Sequence, residues 1–422
     1  MKRIISIILG LAIVTSIFAN GAQEQNTNKK KLVFWDKSEY VQDYNVLSKQ
    51  HFDEFCAENN IDGEYVIIPP NDLKQKLLAS IEGGNPPDII VTDDFSAKQY
   101  AGMEQLLSVD SVMNAVPFTT AAKNIVQVTN GNFIVPMCIL APAMYIRADK
   151  WEEKGLDLPT TWDELYETAK VVNDPENDFY ALGYPMGASG GGDAEAMCRS
   201  IILSFGGVPI DENGVVTINS AETLSALKFI AKLYTENLCP PSAITWDDMG
   251  NNTAYGAGSV GVIQNSGSVF SQLQKENPEL LAKTRILSYP SGVAGAFIPT
   301  GGNVFCAFKN GESNDLAIEY IKSFFEKDFY ENLLTKMLGM WQPTITGVTD
   351  NDFWKDPINS GWLESSKHGV NNLYPAPSTD LIANAFSEQL CVKAIQQIVL
   401  NNVDPQIALD NLEQSFKDTL GQ

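Results

Sequence analysis

Histidine is almost absent from this chain. Only two of its 422 residues are histidine, His51 and His368. They lie far apart, so a histidine-rich metal site is not expected, and only carboxylates could hold a hard cation. The six cysteines, Cys56, Cys138, Cys198, Cys239, Cys306 and Cys391, are scattered. None forms a close pair and none shows metal-ligand spacing. An even count in an exported protein permits disulfides, yet Cys138 and Cys306 sit in apolar, strand-like runs where a free cysteine acts as a small hydrophobe. Basic residues are scarce too: 29 Lys and Arg face 52 Asp and Glu, for a formal net charge of −23. Such a chain is unsuited to nucleic acid or to an anionic membrane surface. The charge says little about an uncharged ligand, and solvated acidic faces account for it. The phosphate-wrapping arrangement Gly-x-x-x-x-Gly-Lys-Ser/Thr is missing, so a nucleotide site has little support. There is no internal repeat, no low-complexity block and only one long apolar run.

That run is Ile4 to Ala19, behind Lys2 and Arg3 and ahead of small residues to Ala22. A basic start, a short apolar core and small residues at its end describe a secretory signal peptide over residues 1–22. The alternative is an uncleaved anchor, for which the run is short against the ~20 residues a span needs. Removal of Lys2 and Arg3 would take the charge from −23 to −25. The expected location is the periplasm.

The length allows two lobes, and abundant aromatics allow substantial cores. Leu32–Trp35, Glu64–Ile68 and Asp88–Val91 read as strands, with helices at Val46–Glu58 and from an Asn71 cap to Ile81. Strand, helix, strand, helix, strand predicts a parallel sheet with right-handed crossovers. Ligands gather outside the carboxyl ends of such strands. This selects two loops, one with Trp35, Asp36, Lys37 and Tyr40, the other with Thr92, Asp93 and Asp94. Trp35 could equally be core packing, and Asp93-Asp94 could be a helix cap before Phe95. Phe133–Ala141 then returns as a strand and crosses to a second lobe. Tyr184–Asp193 is a Gly-rich loop, either plain surface or a place where backbone approaches a ligand. Ser220 caps a helix from Ala221 to Asn237, and Asp404 with Pro405 opens the last helix. Thr379–Leu400 is expected as one helix before it.

The most informative stretch is Asn132–Lys170. Within it Gly155 can end a helix in the left-handed conformation, and Thr160 or Thr161 can cap the helix that begins at Trp162. The segments Trp151-Glu152-Glu153-Lys154-Gly155-Leu156 and Pro159-Thr160-Thr161-Trp162-Asp163-Glu164-Leu165 resemble the extracellular solute-binding proteins of ABC importers, the sugar-binding family that includes maltose binders. The likeness extends more weakly from Lys31 to the C-terminus, through Tyr100–Leu107, Tyr255–Val262, Asn265–Ser268, Gly301–Phe308, Gly339–Pro343 and Asp404–Leu409. Two departures stand out. Tyr145-Ile146-Arg147 replaces a Tyr-Tyr-Asn-like triplet, and Ser268 stands where relatives carry Trp, a surface Trp246 could supply instead.

The resemblance implies an α/β, two-lobed periplasmic-binding-protein fold of the class II type, each lobe a central, largely parallel sheet flanked by helices and joined by hinge crossings. The first lobe is expected over 29–138 with 303–341 and the second over 139–302 with 342–422. It implies a sugar or oligosaccharide held between the lobes and delivered to ABC permease subunits, by a monomer without cofactor, metal or catalysis. Aromatic faces cover the C–H faces of sugars, while carboxylates and amides meet their hydroxyls. The candidate ligand contacts are Trp35, Asp36, Tyr40, Asp93, Asp94, Tyr145, Trp246, Asn265, Gly302, Asn303 and Trp341. Two other readings stay open. The same fold could take a peptide, a polyamine or an organic anion, the last if Arg147 faces the cleft rather than pairing with Asp149 or Glu152. A secreted glycoside hydrolase would need two flanking carboxylates, and Asp36 with Asp93 or Asp94 is the pair available.

Overall fold

A computed structural model of the chain describes residues 29–39, 41, 43–128, 131–188, 192–309 and 313–422. The expected signal peptide, residues 1–22, lies outside the described residues.

Among the described residues ten strands form two sheets: β1 Lys31–Lys37, β2 Asp62–Ile68, β3 Ile89–Asp93, β4 Val135–Leu140, β5 Ala143–Arg147, β6 Tyr180–Leu182, β7 Val260–Asn265, β8 Thr284–Leu287, β9 Ile298–Ala307 and β10 Gly369–Asn371. The first sheet runs β10-β9-β3-β1-β2, and β4 also pairs with β9, antiparallel, over Gly301–Phe305. β1 pairs in parallel with β2 and β3, as alternating strands and helices require. The second sheet runs β6-β7-β5-β8. It is mixed rather than largely parallel, since only β6 and β7 run together and β5 is antiparallel to both neighbours. β5 enters this sheet directly from the crossing after β4, without a helical connection to set it parallel. Helices flank both sheets. Among the described residues no helix is long and apolar enough to cross a membrane.

Local chemistry explains several elements. Helix Trp162–Val172 starts with a capping box: Thr161 Oγ1 accepts from Glu164 N at 3.1 Å, and Glu164 Oε2 accepts from Thr161 N at 3.1 Å. Gly155 closes the preceding turn at φ +67°. Ser220 caps helix Ala221–Thr235 through Thr223 N, and Asp404 caps helix Pro405–Leu420 through Gln406 N. Two expectations fail at helix ends. The helix expected from an Asn71 cap begins two residues earlier, capped at Pro69 and starting at Pro70, where proline's missing N–H costs nothing. The single helix expected over Thr379–Leu400 is two, Asp380–Ser387 and Leu390–Asn401, broken where Gln389 takes φ +55°.

The crossings between lobes form a bonded unit. From β4 the chain enters β5 through Ala141 and Pro142. Alongside lies Gln342, whose backbone exchanges bonds of 2.9 and 3.0 Å with Ile139. Its buried amide accepts from Ala141 N at 2.8 Å and donates to Gly339 O at 2.7 Å. Just beyond Gln342, Ile345 bridges to Phe118, Thr344 N donates to the Tyr330 hydroxyl, and Thr344 O accepts from Thr119 N. The six cysteines are all free and buried, so the disulfides that their number permits are not formed.

Candidate functional site

Two polar clusters flank the β4–β5 crossing. The first stands at the carboxyl ends of β1 and β3. Strand alternation sends Lys37 to the same face as Trp35. Lys37 Nζ donates to Asn303 Oδ1 at 2.7 Å and pairs with Glu39 at 3.2 Å. Asn303 Nδ2 donates to Glu39 Oε1 at 2.7 Å. Asn303 is register partner of both Asp93 and Cys138. Asp93 is exposed and caps helix Asp94–Gly102 by accepting from Ser96 N at 2.8 Å. Asp94 is buried. It accepts from Gly302 N at 3.2 Å and pairs with Lys98 at 3.3 Å. Burial raises the Asp94 pKa against the opposing pull of Lys98. Gly302 is required by packing, because a Cβ there would meet Cys138 O at 2.3 Å.

The second cluster is centred on Asp193, at the start of helix Asp193–Ser204. Asp193 Oδ2 accepts from Asn251 Nδ2 at 3.1 Å and from Asn265 Nδ2 at 3.2 Å. Its other oxygen has no partner among the described residues. Asp248 accepts from the backbone N–H groups of Gly192 and Asp193, at 3.1 Å each. Burial is the main cause that pushes the Asp193 pKa up to about 6; the Asn251 bond opposes it and Asp248 adds to it. Trp246, two residues before Asp248, is half-buried, and its carbonyl accepts from Gly187 N at 3.1 Å. Gly187 and Gly250 let this ring and backbone sit close, since a Cβ at either would lie within 2.5 Å of Trp246. Asn265 pairs with Ala143 in the sheet. The two clusters thus attach to Cys138 and Ala143, which an extended chain separates by at most about 18 Å.

The fold therefore gathers Asp93, Asp94, Gly302 and Asn303 on one side, and Trp246 and Asn265 on the other. Trp35 lies on the Lys37 face, half-buried against the core there. Tyr40 lies outside the described residues. Three candidates are corrected. Asp36 is fully buried on the opposite face of β1, where it accepts from the hydroxyls of Tyr44 (2.8 Å), Ser48 (3.2 Å) and Tyr65. Trp341 is fully buried too, its ring 4.7 Å from that of Tyr44. Tyr145 is buried between Tyr255 and Trp362, its hydroxyl donating to Ser266 O at 2.6 Å. Asp36 and Tyr145 face core because the covering helices, not the sequence neighbourhood, decide which side of a strand is wet; Trp341, in the irregular segment after helix Lys327–Lys336, is buried against Tyr44 of helix Asp43–Glu58. Arg147 pairs with Asp149 through two bonds of 2.8 and 2.7 Å.

Glu39, Asp193, Asp248 and Asn251 belong with these clusters and were not singled out from sequence. Asp193 ends the Gly-rich Tyr184–Asp193 segment, and Asp248 follows Trp246 closely. Those were the available signals.

The family model described as "Bacterial extracellular solute-binding protein" matches residues 39–328. The chain belongs to that family. This solute-binding protein is 23% identical over 363 residues to a putative ABC transporter periplasmic-binding protein, YcjN, of Escherichia coli, covering 83% of this chain and 81% of that one. It is 22% identical over 369 residues to the maltotriose-binding protein of Pyrococcus abyssi, covering 82% of this chain and 74% of that one. Its fold matches the cyclic α-maltosyl-1,6-maltose binding protein of Arthrobacter globiformis with a TM-score of 0.77 at 17% identity, covering 93% and 99% of the two chains. The two-lobed architecture of the solute-binding protein follows from such matches.

Proposed function

We propose that this solute-binding protein captures a sugar or oligosaccharide between its lobes and delivers it, chemically unchanged, to the permease of an ABC importer outside the cytoplasmic membrane. The observation that carries the reading is Asp193: a half-buried carboxylate, steadied by two amides, with one oxygen unpartnered among the described residues. Such an oxygen suits a sugar hydroxyl, which needs an acceptor once it leaves water. Trp246 offers an aromatic face nearby, and Asn303, Glu39 and Lys37 offer donors and acceptors from the other lobe. The relative from Pyrococcus abyssi, a maltotriose binder by name, supports a sugar as the solute. Closure of the lobes about the Gln342-clipped crossing would bring both clusters onto one ligand, and only a ligand favouring the closed form drives it.

A polyamine is the competing solute, because Asp193 and Asp248 have no cationic partner among the described residues. The anion reading loses its support, since Arg147 Nε and Nη2 are both held by Asp149. The hydrolase reading loses its pair, since Asp36 faces the core. Calorimetry against a panel of mono- and oligosaccharides with spermidine tests the proposal. Saturable heat from a saccharide, with the same saccharide recovered intact by chromatography, is expected. Heat from spermidine alone, or cleaved product, overturns it.

A further inference from the structure

Arg199 carries a charge that its neighbours leave uncompensated. It stands on helix Asp193–Ser204, is 8% exposed, and its guanidinium lies 4.3 Å from the centre of the Phe386 ring. Nη1 donates to Asn372 O. Nε and Nη2 form the edge that grips oxyanions through two parallel bonds, and neither has a partner among the described residues. Glu195, one turn earlier on the same helix, accepts from Val392 N at 3.1 Å and makes no ion pair with Arg199. Burial lowers the Arg199 pKa against the opposing pull of Glu195. Arg147 is the contrast, since Asp149 takes both of its corresponding nitrogens.

Arg199 lines a cavity of about 220 Å³, which has room for a tetrahedral oxyanion and several waters. Lys98, from helix Asp94–Gly102, lines the same cavity. Its side chain is 7% exposed, and its one bond, to Asp94 at 3.3 Å, leaves two ammonium hydrogens without a partner among the described residues. Ser378 adds an exposed hydroxyl. Asp94 also lines the cavity, but it is shared between Lys98 and Gly302 N. Two buried cations thus face one carboxylate, in a chain whose formal net charge is −23. A buried charge needs a counter-charge or strong hydrogen bonds, and no side chain of the described residues supplies the Arg199 edge with either.

We infer that this cavity binds a small inorganic oxyanion of the sulfate or phosphate class, held between the open edge of Arg199 and the Lys98 ammonium. A free ion fits better than an acidic group on the captured solute, because Glu39, Asp93, Asp193 and Asp248 outnumber Lys37 in the two polar clusters and repel an anionic ligand. The ion ties the helix that starts at the second cluster to the helix that starts beside the first. The inference does not depend on which solute the cleft takes.

The test titrates sodium sulfate and sodium phosphate into wild type, Arg199→Gln and Ser378→Glu by calorimetry, with ionic strength held constant by sodium chloride. Wild type should give saturable heat with at least one of the two ions. Arg199→Gln, which loses the two-pronged edge, should weaken that binding at least tenfold. Ser378→Glu places a carboxylate at the cavity from an exposed position and should abolish it, with an unchanged circular dichroism spectrum. Sulfate strengthens burial in any protein, so the rise in Tm with sulfate should be larger in wild type than in either variant. If Arg199→Gln does not fold, Ser378→Glu decides alone. No saturable heat in wild type, or heat that Ser378→Glu keeps, overturns the site. Binding of glucuronate with no response to sulfate or phosphate overturns the free ion. Each of these results leaves the saccharide panel to be judged by itself.

Discussion

Asp36 offers the sharpest test of the physical reasoning. Its carboxylate is fully enclosed, with only the hydroxyls of Tyr44, Ser48 and Tyr65 to replace water. Removal from solvent is the largest influence, and despite the three hydrogen bonds it pushes the pKa from 3.8 to about 7. The folded protein therefore holds this proton more tightly than the unfolded chain does. Stability from this group is greatest below about pH 4, falls as the pH rises, and levels off above about pH 7. The whole shift corresponds to about 4 kcal/mol, of which about 2.5 kcal/mol falls between pH 5 and pH 8. Asp36→Asn keeps the size and removes the titration, and the neighbouring hydroxyls can rotate to serve an amide. Urea unfolding followed by tryptophan fluorescence, on both proteins at pH 5 and pH 8, reads the effect. The variant should gain about 2.5 kcal/mol on wild type between the two conditions, with unchanged denaturant slope. A gap that stays constant with pH would refute the argument that burial dominates at Asp36.

Other expectations follow from named contacts. Asp193→Ala should weaken saccharide binding by tenfold to a hundredfold, the worth of about 1–3 kcal/mol in a desolvated acceptor. Wild-type affinity should decline as the pH drops below about 6, where Asp193 takes up its proton, and calorimetry across pH checks both. Gln342→Ala leaves the Ala141 N–H without its side-chain acceptor. It should cost about 1–3 kcal/mol in urea unfolding and change the compaction on ligand addition seen by small-angle scattering. Gly187→Ala drives a Cβ to 2.2 Å from the Trp246 carbonyl, so the Trp246 fluorescence maximum should shift and saccharide affinity fall. Arg147→Ala should leave ligand selectivity unchanged in the same calorimetric panel while lowering stability by about 1–3 kcal/mol, since Asp149 loses both of its guanidinium bonds.

Much of the fold was legible because its causes are local. The capping box at Thr161 and Glu164, the left-handed Gly155, the Ser220 cap and the Asp404-Pro405 start each act within one turn of backbone. Alternation of strands and helices from Lys31 to Val91 was enough to set β1, β2 and β3 parallel. Residues near the carboxyl ends of those strands were also legible as a region, and Asp93, Asp94 and Asn303 do meet there. Gln389 shows where local reasoning stops, since nothing in its neighbourhood announces the positive φ that divides a helix in two.

What the sequence by itself determined was which segments are helix, which are strand, and which strand ends carry polar residues. Only the tertiary structure decided which side chains face the space between the lobes. Trp35 and Asp36 are adjacent, yet the pleat sends them to opposite faces of β1, and the helix beneath encloses the acid. Tyr145 and Trp341 are polar-tipped aromatics that read as candidate ligand contacts, yet other segments cover them completely. Asp193 and Asn265 stand 72 residues apart in the chain and come within 3.2 Å because β7 ends beside the start of the helix from Asp193. That closeness is a property of packing, and no stretch of sequence near either residue contains it.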